Sequence, residues 1–170
     1  PAPPLLEGIF VFTGATSDPA ALVAVGDLIQ ITAKVSEYRA AAVGLTLTEL
    51  VAPYTITIIS SGHALPAPVI LGTGGLVPPS NNIEDDATGS VETTGVFDPA
   101  SDGIDLYESL EGMLVLVNDA VAVGPTSNFT SNREIAVVGD NGAHAGTRTN
   151  RGGLVAQPGD FNPERIILND

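Results

Sequence analysis

Residues 28–35 read Leu28-Ile29-Gln30-Ile31-Thr32-Ala33-Lys34-Val35, and this run decides the fold class. Successive side chains of an extended chain point to opposite faces, so Ile29, Ile31, Ala33 and Val35 fall on one side. Leu28, Gln30, Thr32 and Lys34 fall on the other. One side is apolar, which predicts a half-buried strand entered through the turn Ala24-Val25-Gly26-Asp27. Upstream, Gly8 to Phe12 (GIFVF) predicts a short strand with Phe10 and Phe12 on one face. Downstream, Leu45 to Leu50 (LTLTEL) and Tyr54 to Ile59 (YTITII) predict two more. Met113–Val117, Val121–Val123, Glu134–Val138 and Arg165–Leu168 bring the total to about eight.

Between these runs the chain is punctuated rather than periodic. Ala64 to Ser80 is rich in proline and glycine and reads as a surface connector, with Gly72-Thr73-Gly74-Gly75 as a flexible turn. Asn81 to Asp102 is acidic with little periodicity. Ile104 to Leu110 is the one helical pattern: Ile104, Tyr107 and Leu110 share a face, Ser101 or Asp102 supplies the cap, and Gly112 follows the end. Strands outnumber helices and connections are short, so the expectation is an all-β antiparallel barrel or small sandwich with long acidic loops and one short helix.

Charge excludes one class of partner. Twenty acidic residues face six basic ones, a net charge of −14 at pH 7. No Lys or Arg occurs between Arg39 and Arg133. Nucleic acids are held by neutralising phosphates with Lys and Arg, so direct, metal-free nucleic-acid binding is not expected. Phe10, Phe12, Tyr38 and Tyr54 could stack on bases, but only Lys34 and Arg39 are nearby cations, and core packing is the simpler role. Arg133, Arg148 and Arg151 form at most a small anion patch. No apolar stretch approaches the ~20 residues of a helical membrane span. Cysteine is absent, which excludes disulfides and thiolate metal sites.

The inventory for catalysis is sparse. Only two histidines exist, and His63 and His144 both sit in loop sequence. No nucleophile elbow, phosphate loop or His-Glu-x-x-His helix is present. The carboxylates are the chemistry the chain does carry. Glu84, Asp85, Asp86, Asp98, Asp102 and Asp105, with Glu108 close behind, offer oxygens at loop spacings. Ca²⁺ takes about six to eight oxygen ligands, so these residues are the candidate Ca²⁺ site, and Asp140-Asn141-Gly142 is a weaker second. A solvated acidic face is the alternative reading of the same residues. Asn128-Phe129-Thr130 fits a glycosylation sequon.

Several strings also resemble a known family. Val25-Gly26-Asp27, ITAKVSEY (Ile31–Tyr38), LTLTEL and Gly62-His63-Ala64-Leu65-Pro66-Ala67-Pro68 resemble the OB-fold-like region of large secreted bacterial nucleases. IEDDATGSVE (Ile83–Glu92), FDPASDGIDLYESLEGMLV (Phe97–Val115) and DFNPERIILND (Asp160–Asp170) extend the match. The resemblance implies an OB-like Greek-key barrel within a single β-rich domain: OB-like strands over 1–70, an acidic and Pro/Gly-rich insertion over 71–103, then the helix and remaining strands over 104–170. It implies an extracellular or cell-surface bacterial accessory module beside a catalytic domain. Nothing in this chain resembles that family's Ser-Asp-His active-site run, so no catalysis is expected. Pro1 to Leu6 is too short and proline-rich to supply the family's opening strand, which leaves a sheet edge open. A different class therefore stands beside the first: a self-assembling fibre or surface-layer-like subunit joined by edge-strand complementation. The partners expected are accordingly other protein chains, either own copies or an adjoining catalytic domain.

Overall fold

A computed structural model describes residues 8–14, 18, 21–42, 44–128 and 132–169. The fold is predominantly β and divides into two compact units. Unit 1 comprises Pro1–Ala67 with Glu111–Leu114, and unit 2 comprises Pro68–Leu110 with Val115–Asp170.

Unit 1 is one sheet. β2 (Leu28–Tyr38) and β3 (Leu47–Ser60) form a long antiparallel hairpin, and β1 (Phe10–Val11) adds to β3 in parallel, in the order β1-β3-β2. The two strands expected at Leu45–Leu50 and Tyr54–Ile59 are thus a single β3. The proline between them is accommodated by a bulge: Thr32 faces Thr55, but Lys34 already faces Val51. Pro53 has no N–H to give a ladder, and it falls in this irregular step. The bulge also turns β2 over. Ile29, Ile31 and Ala33 are half-buried as their alternation predicts, yet Val35 is 61% exposed where it was expected inward. At the other end of unit 1 the chain passes close to itself. A β-carbon on Gly8 would lie 2.0 Å from the Gly112 carbonyl oxygen, so only glycine fits there. The Gly8 amide donates to Met113 Sδ at 3.1 Å.

Unit 2 holds two sheets. β4 (Val69–Leu71) runs parallel to β5 (Val115–Val117). In the second sheet β8 (Arg133–Val138) pairs with β9 (Ile166–Asn169) on one side and with β6 (Val121–Ala122) and β7 (Ser127–Asn128) on the other, all antiparallel. β4 lies inside the segment expected to be an irregular connector, because Val69-Ile70-Leu71 finds a parallel partner remote in sequence. Two helices form instead of one: α1 (Val91–Thr94) and α2 (Gly103–Glu108). Among the described residues no sheet closes into a barrel. The apolar core, Leu71, Leu106, Val123, Val137 and Val138, lies wholly within unit 2. Among the described residues no helix is long and apolar enough to cross a membrane.

A candidate cation site at the start of the second helix

Gly103 opens α2 under tight packing. A β-carbon there would stand 2.7 Å from Pro163 Cβ and 3.2 Å from the Asn82 carbonyl oxygen, so glycine lets three segments meet. The Gly103 amide donates to that Asn82 carbonyl at 3.2 Å, and Ile104 N donates to Ile83 O at 3.1 Å. The 82–86 turn is thereby laid against the helix start, and the acidic residues of both come together.

Glu84, Asp102 and Asp105 form the cluster. One oxygen from each lies within 4.8 Å of the other two, and Asp102 and Asp105 are only 1% and 8% exposed. Asp102 stands where a helix cap would, but its side chain makes no capping bond; Asn82 Nδ2 donates to its Oδ1 instead. Burial, and then the negative charges of Asp85, Glu84 and Asp105, raise the Asp102 carboxyl above its ordinary range. Asp105 Oδ2 accepts from Asp98 N at 2.6 Å. Glu84 Oε1 accepts from Asp86 N and Ala87 N at 2.9 and 3.0 Å, which holds its carboxyl below the usual value. Among the described residues no Lys, Arg or His forms an ion pair with any of the three.

The other expected ligands border this trio without joining it. Asp85 and Asp86 are exposed; Asp85 Oδ2 accepts from Asn82 Nδ2 at 3.2 Å, and Asp86 Oδ1 accepts from Val96 N at 2.9 Å. Asp98 Oδ1 accepts from Ala100 N at 3.2 Å, closing a local turn. Of the six expected residues, Glu84, Asp102 and Asp105 are the ones gathered into one cluster. The helix also differs from its expected face. Leu106 is its most buried apolar residue, while Ile104, Tyr107 and Leu110 are half-buried.

Asp140 in the DNG turn is already saturated. It accepts from Thr73 N at 2.8 Å, Thr73 Oγ1 at 3.0 Å and Asn118 Nδ2 at 2.7 Å, and lies 3.2 Å from His144 Nε2. Asn118, then the Thr73 amide and hydroxyl and His144, hold its carboxyl low despite burial. This is a structural latch that fastens the Gly72–Gly75 turn. Gly72 N, Gly75 N and Leu76 N all donate within or beside that turn, which is therefore pinned rather than loose. Arg148 is likewise committed, donating to the carbonyls of Asn141 at 2.9 Å and Gly152 at 3.0 Å rather than to an anion. Phe129 and Thr130 of the sequon, and Pro1 to Leu6, lie outside the described residues.

One arrangement was not legible as a motif: Ser60 Oγ and His63 Nε2 are 2.7 Å apart, beside Asp27. A nucleophile needs its base oriented by a third group. Here the Asp27 carboxylate serves Ala24 N at 2.8 Å and the Ser61 side chain, and the Ser60–His63 pair is exposed. It closes the turn between Gly26 and His63, whose amide donates to Gly26 O at 2.9 Å.

No curated protein and no solved structure matches the chain. A family described as a domain of unknown function (DUF8508) matches residues 70–170, more than half of the chain. The matched segment begins two residues after unit 2 begins and contains the cation-site residues, the latch and the whole DFNPERIILND run. This chain therefore belongs to the DUF8508 family.

Proposed function

We propose that this chain is a non-catalytic, extracellular binding or assembly module. Unit 1 joins another protein surface through its β1-β3-β2 sheet, and unit 2 holds Ca²⁺ at Glu84, Asp102 and Asp105. The observation that carries the reading is the sheet's lack of a core. Among the described residues of unit 1, Glu49 is the one buried side chain, while Phe10, Phe12, Leu28, Val35, Ile58 and Ile59 are all at least 43% exposed. A small sheet needs its apolar face covered to be stable, and large exposed apolar surface marks an interaction site.

The partner class follows from the resemblance and from charge. An accessory region of a secreted nuclease would have an adjoining catalytic domain as its neighbour, and a covering strand would complete an OB-like barrel. The net charge of −14 disfavours nucleic acid as the direct ligand. The buried, uncompensated carboxylates support Ca²⁺, because a divalent ion relieves both their repulsion and their desolvation. The Ser60–His63 pair is exposed, and the hydrogen bonds of the nearby Asp27 carboxylate go to Ala24 N and Ser61, which supports a non-catalytic role.

A second reading, self-assembly, is favoured by one feature. Among the described residues β2 pairs only with β3, which leaves the other edge of this 11-residue strand without a described partner. Light scattering across a concentration range, with amide exchange along β2, tests both. Concentration-dependent multimers lost in Val35→Lys/Ile59→Lys make the partner a second copy. A monomer with fast-exchanging β2 amides makes it a different protein. A monomer whose β2 amides exchange slowly would sink both, as would hydrolysis of DNA or a phosphoester by the pure chain.

A further inference from the structure

We infer that β2 pairs with β2 of a second copy of this chain, antiparallel and centred on Ala33, so that two chains close into a dimer. The inference deepens the self-assembly reading above and rests on it. A strand edge is ordinarily kept from pairing by proline, by bulges, by clustered charge or by brevity. β2 runs for 11 residues, LIQITAKVSEY, without a proline. Both of its irregular steps insert residues into β3 instead. Leu28 to Ile29 spans Ser60 to Ile58, and Thr32 to Lys34 spans Thr55 to Val51. β2 is therefore continuous, and among the described residues its other edge has no partner.

Charge selects the occupant. The chain carries a net charge of −14, yet from Leu28 to Arg39 two basic residues, Lys34 and Arg39, stand against the single acid Glu37. A basic partner would be drawn to the carboxylates between Glu84 and Glu111, where no Lys or Arg occurs. Two acidic copies repel over most of their surface and approach at least cost along an edge without excess negative charge. β2 is such an edge.

The strand is also complementary to itself. A two-fold axis that overlaps all 11 residues of both strands must pass through the middle one, Ala33. Tyr38 of one copy then lies directly opposite Leu28 of the other, and Val35 opposite Ile31. Leu28, Val35 and Tyr38 are 50%, 61% and 51% exposed in one chain, and each gains an apolar cross-strand neighbour. Gln30 meets Ser36, a polar pair. Lys34 faces Thr32 and Glu37 faces Ile29, so no like charges stand directly opposed. The pairing consumes the same edge on both copies, which ends the assembly at two chains rather than a fibre.

The absence of cysteine makes single-cysteine variants of the full chain a clean test. Light scattering on the wild type should give twice the 17.3 kDa chain mass. Under air oxidation Ala33→Cys should form a disulfide-linked dimer, because the two Ala33 positions face each other. Gln30→Cys should not, since its two copies would stand six residues apart along the pair, roughly 20 Å. Gln30 is exposed and Ala33 half-buried, so random collision would give the reverse order. Selective cross-linking at Ala33 supports the inference. Multimers that cross-link at Gln30 as readily as at Ala33 overturn it and leave self-assembly standing through another surface. A wild type that stays monomeric at all concentrations overturns both.

Discussion

Asn82 holds the Asp102 segment at several points. Its Nδ2 donates to Asp102 Oδ1 and, at 3.0 Å, to the Ser101 carbonyl, while its own carbonyl accepts from Gly103 N at 3.2 Å. Asp102 is only 1% exposed, so Asn82 stands in for the water its carboxyl has lost. Asn82→Ala should destabilise the metal-free protein by about 1–3 kcal/mol, the range for orphaning a buried polar group. Thermal melts would show it; an unchanged Tm would mean that Asp102 finds another donor.

The buried acid cluster dictates an unusual pH response. The Asp102 carboxyl is raised above its model-peptide value of 3.8, by burial first and neighbouring carboxylates second. The folded state therefore binds this proton more tightly than the unfolded state. The stabilisation is complete below about pH 3.8 and is lost as pH rises through the folded value. Asp102→Asn should flatten that fall and raise the metal-free Tm at neutral pH. A Tm that drops in Asp102→Asn under chelation would contradict it.

Adding Ca²⁺ should act on the same charge. Binding to the native state at one hundred times Kd contributes about 2.7 kcal/mol. Calorimetric melts with Ca²⁺ and with chelator should differ accordingly in the wild type, and less so in Asp105→Asn. Equal melting curves in the wild type would remove Ca²⁺ from the reading.

Asp140 should respond in the opposite sense to Asp102. Its carboxyl is held below 3.8, by Asn118 first, so its contribution is present at neutral pH and lost as pH falls through the folded value. Asp140→Ala should lower the neutral-pH Tm and erase part of the acid-side loss. Asp140→Asn, which tolerates the positive φ of 52°, should do less damage.

Core and sheet should differ sharply under truncation. Leu106, 2% exposed in unit 2, should lose about 2–5 kcal/mol on mutation to Ala. Val35→Lys, at an exposed sheet position in unit 1, should stay within about 0.5 kcal/mol for the isolated chain while abolishing association. Denaturant titrations would separate the two; comparable losses would mean that unit 1 has a core of its own.

The local sequence determined a great deal. Alternation made Leu28–Val35 a strand, the Val25-Gly26-Asp27 turn preceded it, and the pattern after Asp102 opened a helix, because period and turn chemistry are carried by neighbours in the chain. Acidic composition likewise marked the stretch containing Glu84, Asp102 and Asp105. What alternation could not show was that a bulge beside Pro53 would turn Val35 outward, or that Val69–Leu71 would find Val115–Val117 as a parallel partner. Nor could loop spacing say which carboxylates would meet. Glu84 joins Asp102 because Asn82 docks on Gly103. These are contacts between residues remote in sequence, decided by backbone approach and excluded volume, and no window of neighbouring residues encodes them.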